Sequence, residues 1–276
     1  MLDCSDFTFI LSSRNDLYAC YTEDKELEQI KKIENCIYSS EKTFPNRKFI
    51  LIDYNPPDDR KSLKDIFSSY NNVRIVKILP ALQEALEKEN KNGRIGFYEF
   101  VAKHIGSILA DTPNLVFINQ DLVFPVRGRE ELIETTRQGK VNIAFRCKVD
   151  YNLINLGVPE LYNLVNSQIP LQVKQYDVYG NGDFLAISKE KYNNIGGYLL
   201  SHQNWAVDNE ILYRLGLENM HPVSMRKGVI NEIVRTYATI SLDHPEDATG
   251  ALRTRGENYV PISVEICNNL LNYVVE

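Results

Sequence analysis

Phe7-Thr8-Phe9-Ile10-Leu11 is an apolar, β-prone run that stops at Ser12-Ser13-Arg14-Asn15-Asp16, a cluster of turn and capping residues. That order predicts a first strand feeding a polar loop. Leu27, Ile30, Ile33 and Ile37 follow at helical spacing among charges, which predicts an amphipathic helix over 24–39. Lys48-Phe49-Ile50-Leu51-Ile52-Asp53 reads as a short buried strand ending on an acid, and Asn55-Pro56-Pro57-Asp58-Asp59 turns the chain after it. A short helix over 62–70, a third strand over 73–79 and a charged stretch at 87–94 come next. Phe97, Phe100, Val101, Ile105, Ile108 and Leu109 then form a helical stripe over 96–110, leading into a strand at 115–118. Strands alternating with helices over the first 125 residues are the pattern of an α/β fold, with a mostly parallel sheet covered by helices on both faces.

The second half is less regular. Residues 141–146 and 183–187 read as strands on either side of a long irregular segment, 150–178, with room for several short helices. Helices are expected over 190–195 and 208–217, and Ile262, Ile266, Leu270 and Val274 are spaced for an amphipathic helix over 262–275. With no internal repeat, low-complexity tract or linker, residues 1–250 are expected to form one domain and 251–276 a carboxyl-terminal loop and helix appendage.

Bulk composition removes several function classes. The 276 residues carry 31 basic and 37 acidic side chains, a net charge of −6, with no Lys/Arg run of the kind that neutralises a phosphate backbone. A nucleic acid polymer is therefore not an expected partner. The cysteines, at 4, 20, 36, 147 and 267, are odd in number and scattered, without a metal-type Cys-x-x-Cys, which fits a reduced, cytoplasmic setting. No basic n-region precedes the run at Phe7, so no signal peptide is expected. No apolar stretch approaches the roughly eighteen residues of a membrane span, which leaves peripheral contact as the route to a membrane.

The candidate chemistry starts at residues 115–125, Leu-Val-Phe-Ile-Asn-Gln-Asp-Leu-Val-Phe-Pro. Asn119 and Asp121 place two oxygen ligands at the carboxyl end of a buried strand. Ligands of open α/β sheets bind just outside such strand ends, and a hard divalent cation carrying phosphates takes one or two carboxylates there. Asn and Asp after a strand also form ordinary turns. A second constellation shifts the balance: Gly180-Asn181-Gly182-Asp183-Phe184, then Ile195-Gly196-Gly197-Tyr198, then Trp205, Asp208 and Glu210, with Arg214-Leu215 one turn on.

Together these segments resemble the nucleotide-sugar-dependent glycosyltransferases of the GT-A fold, especially inverting enzymes of the family 2 type. Ser12 to Asp16, Ile52 to Pro57, Ala102-Lys103-His104-Ile105-Gly106, Asn119-Gln120-Asp121, Gly182-Asp183-Phe184, Trp205 with Asp208, and His244 follow the family's order across residues 7–246. The resemblance implies a three-layer αβα sandwich around a mostly parallel, partly mixed sheet. Residues 1–125 would be the nucleotide-binding half and 126–250 the acceptor-binding half.

By the same resemblance, Asp121 holds Mn2+ or Mg2+ and the donor diphosphate, and Asn119, whose amide adds no charge, touches the ribose or a metal-bound water. Ser12, Ser13, Arg14 and Asp53 fall where such enzymes hold the base and ribose; Lys103 and Asp183 join the donor-binding set. Asp208 matches the general base, with Glu210 as the alternative, and Trp205 and Asp183 face the acceptor. His244 falls where this fold often returns a third metal ligand or a phosphate contact, while His202 and His221 read as surface or loop residues. Arg253 and Arg255 flank a loop able to close on a diphosphate. The donor would be a nucleoside-diphosphate sugar, UDP first, and the acceptor a hydroxyl of a glycan or other molecule.

Two other readings stand beside this one. A sugar-1-phosphate nucleotidyltransferase would need a Gly-rich phosphate loop after the first strand, and Ser12 to Asp16 contains no glycine. A catalytically silent glycan- or nucleotide-binding module of the same fold is favoured by Asn119 in place of an acid and His104 in place of an Asn. A dinucleotide oxidoreductase is excluded, because no Gly-x-Gly-x-x-Gly follows a strand.

Overall fold

The computed structural model of the chain describes residues 2–17, 20, 22–56, 58–90, 95–144, 147–167, 172–173, 184–202, 207–215, 233–236, 239–243 and 260–276. The chain starts as β1 (Phe7–Ser13), α1 (Lys25–Thr43), β2 (Lys48–Tyr54), α2 (Leu63–Ile66), β3 (Arg74–Ile78), α3 (Pro80–Glu89), α4 (Glu99–Leu109) and β4 (Asn114–Ile118). It continues with β5 (Leu122–Val123), α5 (Arg129–Arg137), β6 (Val141–Ala144), β7 (Cys147–Asp150), a 3-10 turn over Tyr151–Asn155, α6 (Val158–Asn166) and β8 (Gln172–Val173). It ends with β9 (Phe184–Ser188), α7 (Lys189–Asn194), α8 (Val207–Arg214), β10 (Ile233–Thr236), β11 (Ile240–Asp243), α9 (Val264–Asn268) and β12 (Val274–Val275).

Among the described residues, eight strands form the main sheet in the order β10-β6-β9-β4-β1-β2-β3-β12. β1 pairs in parallel with β2 and β4, β2 with β3, and β10 with β6. β9 runs antiparallel between β4 and β6, and β12 antiparallel to β3. The mostly parallel α/β sheet is the one that the alternation of strands and helices anticipates, and its partly mixed character is the one that the family resemblance implies. A smaller sheet, β5-β11-β7-β8, stands beside it.

Both faces of the main sheet are covered, which is why its central strands read as unbroken apolar runs rather than alternating ones. Ile10, Ile50, Ile52, Leu115, Phe117, Leu185 and Ile187 face one layer, built from α3, α4, α7, α8 and the tail. Phe7, Phe9, Leu11, Phe49, Leu51, Val116 and Ile118 face the other, built from α1, α2 and α5. The period of two along each strand divides the apolar residues between the layers.

Four local departures from the sequence pattern have physical causes. In α1 the buried face includes Glu28, Gln29 and Lys32, while Leu27 is 46% exposed, because α6 and the 3-10 turn cover the helix and its polar groups find partners: Glu28 meets Lys32, Thr22 N and Tyr151, and Gln29 the loop after β1. α3 and α5 were hidden in charged sequence. α3 begins with Pro80 in its first turn and buries Leu82 and Leu86; α5 starts after Gly128, at φ 80, and buries Leu132 and Ile133. Two apolar residues each are too few for a clear period. The tail is not one continuous helix: α9 ends at Asn268, a 3-10 turn spans Leu270–Tyr273, and β12 adds to the edge of β3.

α4 lies across β1 with Gly106 against Ile10. A Cβ at Gly106 would stand 2.4 Å from Ile10 Cγ2, so no side chain fits without moving helix or strand. Gly106→Ala is expected to lose about 1–3 kcal/mol by overpacking, measured by urea unfolding.

Candidate functional site

β1 is where the sheet changes direction. The chain passes from β1 to β2 and β3 on one side, and later returns as β4 on the other. The carboxyl ends of β1 and β4 meet at this switch point, the place where open α/β sheets have the crevice that binds ligands. Ser13 pairs in register with Asp53, and Leu11 with Ile118, so Ser12 to Arg14, Asp53 and Asn119 to Asp121 all come to this rim.

On the α1 side, glutamines close the gap. Ser13 Oγ donates to Gln120 Oε1 at 2.6 Å, and Gln29 Nε2 donates to the same oxygen at 3.2 Å and to the Arg14 carbonyl at 2.8 Å. Gln29 Oε1 accepts from Leu17 N at 2.8 Å, holding Leu17 at φ 61. Gln120 is in sequence only the spacer between Asn119 and Asp121, and the one local sign of Gln29 is a glutamine next to Ile30 in the apolar stripe of α1.

Arg14 is already occupied. Its Nε donates to the Asn55 carbonyl at 2.9 Å and its Nη1 to the Gly96 carbonyl at 2.6 Å, so the guanidinium ties the loops after β2 and before α4 together. Asp53 is wholly buried; its Oδ2 accepts from Lys64 N at 3.1 Å, and its Oδ1 finds no partner among the described residues. Burial raises its pKa above the ordinary carboxylate value, against the lowering effect of the Lys64 and Leu63 backbone N–H groups. Ser12 Oγ is likewise buried and unpartnered among the described residues, on the opposite face. Two orphaned polar atoms at one rim are uncommon in a packed interior.

On the α4 side stands a charged group. Lys103 is fully buried, and its Nζ donates to Asn119 Oδ1 at 2.7 Å and meets Glu99 Oε1 at 2.6 Å. Cys36 Sγ donates to the Asn119 carbonyl at 3.7 Å; burial pushes that thiol far up, and the Asp121 carboxylate adds to the shift. Asp121 itself is partly exposed. A hard cation carrying a diphosphate takes one or two protein carboxylates. The partly exposed Asp121 is a carboxylate of that kind at the end of β4, whereas the Asn119 oxygen already faces an ammonium.

In the second half, Gly196 and Gly197 adopt φ 79 and 69, and a Cβ on Gly197 would stand 2.9 Å from both His104 Nδ1 and the Tyr192 ring. The Gly-Gly pair is thus a packing requirement. Arg214, on α8, donates to the Ile195 carbonyl and, at 2.7 Å, to the Gly197 carbonyl, which locks α8 to the end of α7. Val207, Ile211 and Leu212 bury α8 on the α4 side of the sheet. Asp208 and Glu210 stand in this helix with side chains outside the described residues; Asp183, Trp205, His221, His244, Arg253 and Arg255 also lie outside them.

His202 is not a surface residue. Its Nε2 lies 3.0 Å from Glu89 Oε1 and its Nδ1 3.2 Å from the Tyr98 hydroxyl, and it is 4% exposed. Glu89 also accepts from Ser263 N at 2.6 Å, so the histidine belongs to a clamp between α3 and the tail that no local pattern announces.

With this geometry the chain can be compared with known structures. It is similar in fold to TarS from S. aureus. Residues 1–349 of TarS superpose with a TM-score of 0.50 at 12% identity, over 86% of this chain and 60% of that one. A longer TarS structure gives a TM-score of 0.45 at 12% identity, over 87% of this chain and 37% of that one. The chain therefore spans about 60% of the first TarS structure, and at this identity the likeness concerns the fold. No protein-family model matches the chain, and no curated protein matches it in sequence. No helix among the described residues is long and apolar enough to cross a membrane.

His104 supplies a pH test of the α4–α7 contact. Its Nδ1 lies 3.0 Å from the Tyr192 hydroxyl, and burial lowers its pKa from 6.5 to about 4. The unfolded chain then binds more protons between those values, so stability is full above pH 6.5 and falls as pH drops towards 4, by a few kcal/mol (roughly 1.4 per pH unit). His104→Gln is expected to flatten that slope in urea unfolding repeated from pH 7 to 4.

Proposed function

We propose that the chain is a glycosyltransferase that moves a sugar from a nucleoside-diphosphate donor, UDP first, to a hydroxyl of a glycan or other acceptor. The supporting observation is the rim at the carboxyl ends of β4, β1 and β2, where Ser12, Ser13, Asp53, Asn119 and Asp121 stand at the switch point of a mostly parallel sheet. The fold likeness to TarS, itself a glycosyltransferase, agrees with glycosyl transfer as the general class.

In this reading the buried acceptors Ser12 Oγ and Asp53 Oδ1 receive base or ribose groups, which supply the hydrogen bonds they lack within the described chain. Asp121 would hold Mn2+ or Mg2+, a Lewis acid for the departing diphosphate. Asp208, on the helix locked by Arg214, accepts the proton of the acceptor hydroxyl as its oxygen attacks the anomeric carbon. The bond from that carbon to the diphosphate oxygen breaks, its electron pair leaves with the nucleoside diphosphate, and the configuration inverts. Asp183 and Trp205 are assigned to the acceptor side, and His244 to the metal.

Thermal unfolding against UDP, GDP and dTDP, with and without Mn2+, tests the donor. UDP with Mn2+ at about a hundredfold its Kd is expected to add roughly 2.7 kcal/mol; a metal-independent response to nucleoside triphosphates alone would point to nucleotidyl transfer, and no response to a silent module. In a donor-hydrolysis and transfer screen, Asp208→Asn should lower kcat by about 10²–10⁴ while leaving the UDP shift in place.

A further inference from the structure

Among the described residues, Lys103 is the lysine at the crevice whose side chain is sealed from solvent, and it sits directly behind Asn119. Its Nζ is 2.7 Å from Asn119 Oδ1 and 2.6 Å from Glu99 Oε1, and 5.5 Å from the centre of the Phe100 ring. Glu99 lies one turn earlier on α4 and is 25% exposed. An ammonium is tolerated in such a place only where fixed oxygens replace its water. Here a carboxylate and an amide oxygen do so.

The arrangement constrains what the amide can offer a ligand. With its oxygen turned to the ammonium, the remaining polar groups of the amide are N–H donors, whose partners are hydrogen-bond acceptors such as phosphate and ribose oxygens rather than cations. A divalent cation on the same oxygen would bind at about 2.1–2.4 Å. Given the 2.7 Å from Nζ to that oxygen, it would lie within about 5 Å of the ammonium, which repels it, an effect that the Glu99 carboxylate reduces, and it would compete with the ammonium for the same oxygen.

Resting on the glycosyltransferase reading, we propose that Lys103 is a positioning residue of the donor site. It holds the Asn119 amide by its oxygen, keeps a divalent cation off that oxygen, and leaves Asp121 as the carboxylate at the end of β4 that receives one. The strand end therefore differs from a pair of acids in more than one missing charge. An acid placed at 119 would be neutralised by the lysine behind it, so the lysine and the amide act as a unit.

A double-mutant cycle on the full chain tests this, using Asn119→Asp, Lys103→Met and both together. Mn2+ affinity is read from the electron paramagnetic resonance of the free ion, first without nucleotide and then with UDP, and folding is checked by circular dichroism. Asn119→Asp alone is expected to change Mn2+ affinity by less than about threefold, and the double variant to bind Mn2+ at least about tenfold more tightly than Asn119→Asp. Lys103→Met alone should weaken UDP binding and Lys103→Arg should restore part of it, a rescue that a purely structural role would not tie to the nucleotide. A gain of about threefold or more from Asn119→Asp alone overturns the proposal. That variant retains Lys103, so the proposal stays open to disproof even if Lys103→Met fails to fold. A folded double variant without the gain overturns it too. The nucleotide-free arm needs no donor: a parent chain that binds no UDP counts against the glycosyltransferase reading, while the Mn2+ cycle still decides the role of Lys103.

Discussion

Two parallel strands that end side by side leave backbone groups beyond their last ladder bonds, and where these are buried side chains must satisfy them. At the end of β1 and β4 this falls to Ser13, Gln120 and Gln29, whose bonds also reach the Arg14 carbonyl and Leu17 N. Removing the α1 side of this set would free the loop after β1 and with it one rim of the crevice. The site thus depends on a few neutral amides that fix the loops after β1 and β4 in one shape.

The opposite face of the same gap is built from charge instead of amides. Lys103, Glu99 and Asn119 connect α4 to the end of β4, and α4 can lie close enough for this because Gly106 lets it settle on Ile10. The same helix carries His104 to Tyr192 and the Gly-Gly turn, on which Arg214 hangs α8. One helix therefore relates the rim at the end of β4 to the element that bears Asp208 and Glu210. Its packing, not its sequence motif, sets their relation.

Away from the crevice, the tail secures the far side of the sheet. β12 covers the edge of β3, which would otherwise present unpaired backbone groups. Glu89 and His202 clamp the tail's first turn to α3 and to the segment ahead of residues 203–206.

The amino-acid sequence by itself determined the α/β class, the strands around Ile10, Ile50 and Val116, and the polar strand ends at Ser13, Asp53 and Asn119, because buried strands and their stops are local patterns of side-chain type. Gly106 and Gly197 could be read as glycines but not as contacts. Tertiary structure alone decided that Lys103 is spent on Asn119, Arg14 on two carbonyls and His202 on Glu89, and that Gln120 and Gln29 meet. Each of these pairs joins residues far apart in the chain, or joins neighbours whose facing depends on packing. A hydrogen bond needs a partner within about 3 Å, and sequence order carries no such distance.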